Sequence, residues 1–269
     1  MIPAVPILRY HSVSDDPPGA SAPYAVSRWR FGAQLDALVR LGFTSLTVGE
    51  LLLARASGLP LPERTAVITF DDGFADFAAN AWPELAEREL TATLYVTAGQ
   101  LGGTSSWLAP HGTGELAMLT RRQLVALAAE GCEIGAHSMT HPHLDCLPRT
   151  AAAREIGQSK RVLEHLLGRP VDSFAYPFGY YDAAVRQLVI DAGFRSAAAA
   201  RNVLSPAGDD WFALARIPVT ADFDLQRLTD LIPAPSATAG PAGKRPRHQR
   251  WRGGSPFPHR WLTDRKVGA

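Results

Sequence analysis

Short apolar runs alternate along the chain with longer segments whose apolar residues recur every three or four positions. These two periods separate buried strands from amphipathic helices. Val5–Tyr10, Ala66–Phe70, Thr91–Thr97, Glu133–Ala136, Ser173–Tyr176, Phe194–Ala200 and Leu214–Val219 read as strands. Between them, Trp29–Leu41 places Phe31, Leu35, Leu38 and Val39 at helical spacing, with Gly42 as a stop. Thr47 is a candidate N-cap for Val48–Arg55, and Thr120 for a helix that Gly131 ends. Pro83–Glu89 starts on a proline, which a first helical turn favours. Thr150–Leu167 is a long amphipathic helix closed by Gly168, Ala183–Ala192 is closed by Gly193, and Asp222–Leu231 comes last. Strands that alternate with helices of this length are parallel strands joined by crossovers. Seven or eight such units predict an α/β protein, with a closed barrel favoured over an open sheet.

Near Ile232 the pattern stops. Pro233-Ala-Pro-Ser-Ala-Thr-Ala-Gly-Pro-Ala-Gly243 is linker composition, and the basic stretch beyond it has no apolar period. The chain therefore divides into a domain over 1–232 and a Pro/Gly/Arg-rich disordered tail over 233–269. Charge divides at the same place. From Lys244 onward there are eight Lys/Arg against one acid, Asp264, although the whole chain is only +1. The body is mildly acidic. It gives no electrostatic case for nucleic acid, whereas the tail could meet nucleic acid or an anionic cell-wall polymer. Cys132 and Cys146 are too few to build a disulfide framework. The first residues carry no charged, long apolar leader pattern, and no apolar run is long enough to span a membrane. Taken literally this places the chain in the cytoplasm, an expectation that a different start site would overturn.

In a barrel of this kind functional groups collect after the strands. His11 follows the first strand, Asp71 and Asp72 follow Ala66–Phe70, and His137 follows Glu133–Ala136, with His141 four residues later. Pro177, Phe178 and Gly179 follow Ser173–Tyr176. On a turn of helix the i, i+4 spacing would point both imidazoles the same way. Two imidazoles and a carboxylate make a facial ligand set for a divalent cation, with positions left for water and substrate. One Asp can then bind the metal while the other stays free as a base, and the cation offsets their repulsion. Without the histidines, the Asp pair reads equally as a helix N-cap relaxed by Gly73.

Thr69-Phe-Asp-Asp-Gly73, His137-Ser-Met-Thr-His-Pro-His-Leu144 and Tyr176-Pro-Phe-Gly179 resemble the three motifs of the polysaccharide deacetylases, the NodB-homology or carbohydrate esterase 4 family. The resemblance covers about Val5 to Asp230. Val5-Pro-Ile-Leu-Arg-Tyr-His-Ser-Val13 and Phe174–Asp182 resemble the branch acting on poly-β-1,6-N-acetylglucosamine. The resemblance implies a distorted, NodB-type (β/α)7-8 barrel and a metal-dependent hydrolase that removes N-acetyl groups from a carbohydrate and releases acetate. Asp71 would be the general base. Asp72, His137 and His141 would hold the metal, usually zinc, and the backbone N–H of Phe178 would stabilise the oxyanion. The family's late histidine is missing, since none follows Leu214 until His248 in the tail. His11 fits as the general acid instead, because a barrel closes its first strand beside its last; it could also simply orient a ligand. The arginine that many relatives carry before the third motif is here Ala175. Arg216 could supply that guanidinium, or make an ordinary surface ion pair. Tyr176 reads as packing, rim or a sugar contact, and Trp107 could stack on a pyranose.

Two other functions fit the same residues. One keeps the metal site but hydrolyses a non-carbohydrate amide or cyclic imide. The other is a carbohydrate-binding or nucleic-acid-associated module with a dead site, although a dead site would not need the complete ligand and base set. Family relatives mostly work outside the cytoplasm, in tension with the missing leader.

Overall fold

Ten strands and seven α-helices alternate in the computed structural model, which describes residues 4–111 and 116–230. The predicted basic tail lies outside the described residues. In chain order the elements are β1 (Ile7–Tyr10), β2 (Ser12–Val13), β3 (Ala25–Val26), α1 (Arg28–Arg40), β4 (Thr44–Leu46), α2 (Val48–Ser57), β5 (Thr65–Phe70), α3 (Trp82–Glu87) and β6 (Thr93–Val96). They continue as α4 (Arg121–Ala129), β7 (Glu133–Ala136), α5 (Arg149–Leu167), β8 (Ser173–Ala175), α6 (Ala183–Asp191), β9 (Ser196–Ala198), β10 (Ile217–Pro218) and α7 (Leu225–Asp230). All belong to one compact unit, Met1–Pro233.

The main sheet runs β10-β1-β5-β6-β7-β8-β9, with β4 also beside β5, and every ladder in it is parallel. It curls into the distorted (β/α) barrel that the alternation predicts. The distortion has two visible sources. β5 pairs with β4 at its start and with β6 only at its end, through Thr69 and Phe70. Closure between β9 and β10 is a short seam, in which Leu214 N donates to Ala197 O and Leu214 O accepts from Ala199 N, both at 2.9 Å. The predicted strand Leu214–Val219 is therefore split. Its first half serves β9 and Ile217–Pro218 serves β1. A small β2–β3 ladder and strand β4 have too few apolar residues to stand out as runs.

Side-chain alternation divides the core in two. Leu8, Tyr10, Ile68, Phe70, Leu94 and Phe174 point out to the helices. Ile7, Val67, Tyr95, Ala175, Ala198 and Leu214 point into the barrel, where Val48, Leu51 and Leu52 of α2 meet them. Helix α2 thus plugs the end at which the strands begin. Its first amides are satisfied in place. Thr47 and Glu50 form a capping box, Val48 N donates to Thr93 Oγ1 at 2.9 Å, and Gly49 N donates to the Glu133 carboxylate at 3.1 and 3.2 Å. A Cβ on Gly49 would lie 2.6 Å from that carboxylate, so any larger residue would push the Glu133 side chain aside. With one end plugged, the strand C-terminal ends are left to build a cleft.

Leu51 is fully buried inside the barrel, whereas Val125 on α4 is 41% exposed. Leu51→Ala is expected to cost about 2–5 kcal/mol by urea unfolding, and Val125→Ala about 0.5 kcal/mol or less. Equal costs would contradict the plug.

Candidate metal centre

Asp71 continues the inward face of β5 beyond Val67 and Thr69, and then the chain breaks alternation. Asp72 has φ 73° and Gly73 φ 88°, both left-handed. This turn sends the adjacent carboxylates to different partners and so relieves their repulsion. It also rules out a helix N-cap as their main use. Gly73 is a close approach as well, with its Cβ position 3.2 Å from the Val96 side chain.

Asp71 meets Arg216. Its Oδ1 accepts from Nη1 at 2.6 Å and its Oδ2 from Nη2 at 2.8 Å, with the arginine wholly buried. The fork is held in turn by the Ala199 carbonyl and Thr69 Oγ1, at 3.2 and 3.3 Å. Burial pushes the Asp71 carboxyl up, but opposing interactions, led by the charge of Arg216, outweigh it and bring it to about 2. Arg216 thus supplies the guanidinium that Ala175 cannot, and it holds Asp71 ionised and immobile.

Asp72 meets the histidines. Its Oδ1 lies 3.4 Å from His137 Nε2 and 3.2 Å from His141 Nε2, and the two nitrogens are 3.2 Å apart. His137 Nδ1 donates to the Ala175 carbonyl at 2.8 Å, which leaves Nε2 as an acceptor in the neutral ring. Burial lowers the His141 pKa, against the pull of Asp72, and so favours its neutral ring. Three acceptor atoms thus converge on one point, and the buried Asp72 Oδ1 has no hydrogen-bond partner among the described residues. Each atom of this triangle is about 1.9 Å from its centre, just inside the ~2.0–2.2 Å bonds zinc makes to N and O. The donor set fits a small divalent cation.

The histidines do not converge on a helix. His137–His141 is a strand-end loop in which Ser138 and His141 adopt φ of 63° and 62°. Side chains tie it down. His141 N donates to Ser138 Oγ at 3.0 Å, and Glu155 on α5 accepts from Met139 N, Thr140 N and Thr140 Oγ1, each at 2.9 Å. Glu155 lies in an ordinary amphipathic helix, and nothing in its sequence context marks it. Strain collects at this site. Of the six described non-glycine residues with positive φ, Asp72, Ser138, His141 and Phe178 line or support it.

Phe178 packs edge-on against His141 at 4.5 Å and face to face with His143 at 3.9 Å, on which Tyr180 also stacks. Trp107 stacks on His141 at 4.8 Å and runs beside Phe74, so one face of the indole is already used. Tyr176 is fully buried, its hydroxyl donates to the Phe212 carbonyl at 2.9 Å, and its ring stacks on Tyr181. It packs in the core, since the alternation of β8 turns it toward the helices. His11 follows β1 on the inward face, near Tyr24 and within electrostatic reach of Asp72 and Asp71. Burial lowers its pKa to about 4, against those two carboxylates. Ser12 donates to Asp76, whose carboxyl burial raises to about 6. Nothing in the sequence marks the Ser12–Asp76 contact.

A sequence model of the polysaccharide deacetylase family matches residues 58–197. YxkH of Bacillus subtilis (strain 168) is 25% identical over 216 residues, 80% of this chain and 71% of that protein. The structure of IcaB from Ammonifex degensii superposes with a TM-score of 0.73 at 25% identity, over 85% of this chain and 97% of that one. That of the Streptococcus pyogenes deacetylase PplD, in complex with acetate, does so with a TM-score of 0.75 at 24% identity, over 86% and 99%.

A carboxylate held at about 2 when folded, below its ordinary value of 3.8, contributes stability above pH 4 that is lost as pH falls toward 2. The wild-type chain is therefore expected to lose about 2 kcal/mol more than Asp71→Asn between pH 5 and pH 2. Parallel stability curves for the two proteins would contradict the pairing.

Proposed function

Since the chain belongs to the polysaccharide deacetylase family, as a carbohydrate-deacetylating hydrolase of carbon–nitrogen bonds, we propose that it is metal-dependent and acts on N-acetylglucosamine residues of an oligomer or polymer. The observation that carries this reading is the convergence of Asp72, His137 and His141 around an acceptor oxygen with no donor. Asp72, His137 and His141 would hold the cation, which we take to be zinc. A bound divalent cation would polarise the amide carbonyl and acidify water.

The remaining roles fall to side chains across the cleft. Asp71 is fixed by Arg216 and ionised at any working pH, so it stands ready to accept the proton of the attacking water. Its low pKa makes it a weak base; its value lies in position. The Phe178 N–H is assigned to the developing oxyanion. His11 delivers the proton to the leaving nitrogen. Because burial favours its neutral form, it must first take up a proton before it can hand one on. Sugar binding falls to the Phe178, His143 and Tyr180 stack, of which Phe178 is 39% and Tyr180 60% exposed. Flat apolar rings of this kind suit the C–H faces of a pyranose. Trp107 supports His141 and offers only its remaining surface to a sugar.

Purified full-length protein is expected to release acetate from β-1,6- or β-1,4-linked N-acetylglucosamine oligomers, and to stop when a chelator is added. Asp71→Asn should lose turnover by about 10²–10⁴-fold while keeping its metal by elemental analysis, and His11→Ala should lower kcat similarly. Asp72→Asn and His137→Ala should lose the metal. Hydrolysis of cyclic imides or ureides with no acetate release would favour the non-carbohydrate reading. Metal retention with no turnover of any substrate would favour a binding module.

A further inference from the structure

The roles above leave one charged side chain at the cleft unused. Arg9 sits on the inward face of β1, between Ile7 below it and His11 above it. Its Cα partners are Thr69 on β5 and Pro218 on β10, so it lies between the strand that carries Asp71 and the segment that carries Arg216. It is partly buried and feels the charges of Arg216, Asp71, Asp72 and the rim residue Tyr24, which is 52% exposed. Yet among the described residues it makes no ion pair, and its buried Nε has no hydrogen-bond partner. The two acids whose charge reaches it are engaged elsewhere. Both oxygens of Asp71 accept from Arg216, and Asp72 Oδ1 faces the histidine rings. An apolar side chain of the same length would fill this place without the cost of an unpaired, partly desolvated guanidinium.

We infer that Arg9 is a specificity-determining residue that binds a carboxylate of the ligand on the floor of the cleft, beside the Asp72–His137–His141 centre. A single guanidinium presents two parallel N–H groups, which match the two oxygens of a carboxylate. Formal charge points the same way. Arg9 and Arg216 balance Asp71 and Asp72, and Asp76 adds one nearby negative charge, so a divalent cation would still leave the cleft at about +1 and attractive to anions. Resting on the deacetylase reading, this carboxylate has two sources: the acetate released, or an acidic substituent on the N-acetylated sugar.

Full-length wild-type protein, Arg9→Met and Arg9→Lys are compared in two assays. In the first, sodium acetate is titrated and followed by NMR, which needs no turnover. In the second, kcat/KM is measured for an N-acetylglucosamine oligomer and for its counterpart bearing a 3-O-lactyl carboxylate. We expect Arg9→Met to weaken acetate binding about tenfold or more if the product is the ligand. If the substrate's own acid is the ligand, the ratio of acidic to neutral kcat/KM falls by a similar factor. Arg9→Lys, which keeps the charge but loses the fork, should fall between. If acetate affinity and that ratio are both unchanged in Arg9→Met, the inference is overturned. A lowered Tm with both unchanged would make Arg9 a charge-balancing strut instead. Wild-type protein that binds acetate through Arg9 but releases none from any sugar would remove the deacetylase reading and leave the carboxylate site standing.

Discussion

Arg216 and Asp71 meet through two parallel hydrogen bonds of 2.6 and 2.8 Å, with both side chains buried. A buried pair of this geometry recovers the cost of desolvation only while both members are present. Breaking it would strand a full charge inside the barrel. The pair also ties the segment after β9 to the end of β5, on opposite sides of β1 in the sheet order. The same contact that helps the barrel close therefore decides which of two adjacent carboxylates is engaged and which is left for the histidines.

Around that pair, precision comes from backbone strain held in place by ordinary hydrogen bonds. Left-handed residues at Asp72, Ser138, His141 and Phe178 would each relax if free. Ser138 and His141 do not, because the Ala175 carbonyl, Ser138 Oγ and the Glu155 carboxylate hold the ligand loop from three sides. These supports come from β8, from the loop itself and from α5. The centre is thus a property of the barrel rim as a whole, and its ligands arrive already aimed. The cleft opposite is less settled electrostatically, since burial favours neutral His11 and Asp76, and Arg9 Nε has no hydrogen-bond partner among the described residues.

Much of this is legible from residue order. Glu133–Ala136 is predicted at its observed bounds, and the Thr47 and Thr120 caps appear as full capping boxes. Parallel pairing follows from the strand–helix alternation. Departures fall where tertiary contacts override local pattern. The His137–His141 spacing suggests a helical turn, but a loop braced by Glu155 achieves the same convergence. Tyr176 beside its motif leaves packing, rim and sugar contact open, and strand alternation selects packing. Arg9 reads as one more arginine until its neighbours are seen to be occupied.

Sequence alone determined the barrel class, the strand ends at which chemistry collects, and the identity of Asp71, Asp72, His137 and His141, because periodicity and motif spacing are local properties of the chain. Only the tertiary structure decided which Asp pairs with Arg216, that Tyr176 packs into the core, and that Arg9 makes no ion pair among the described residues. Those outcomes depend on competition among side chains distant in the chain for the same few donors and acceptors, and no local pattern records who wins.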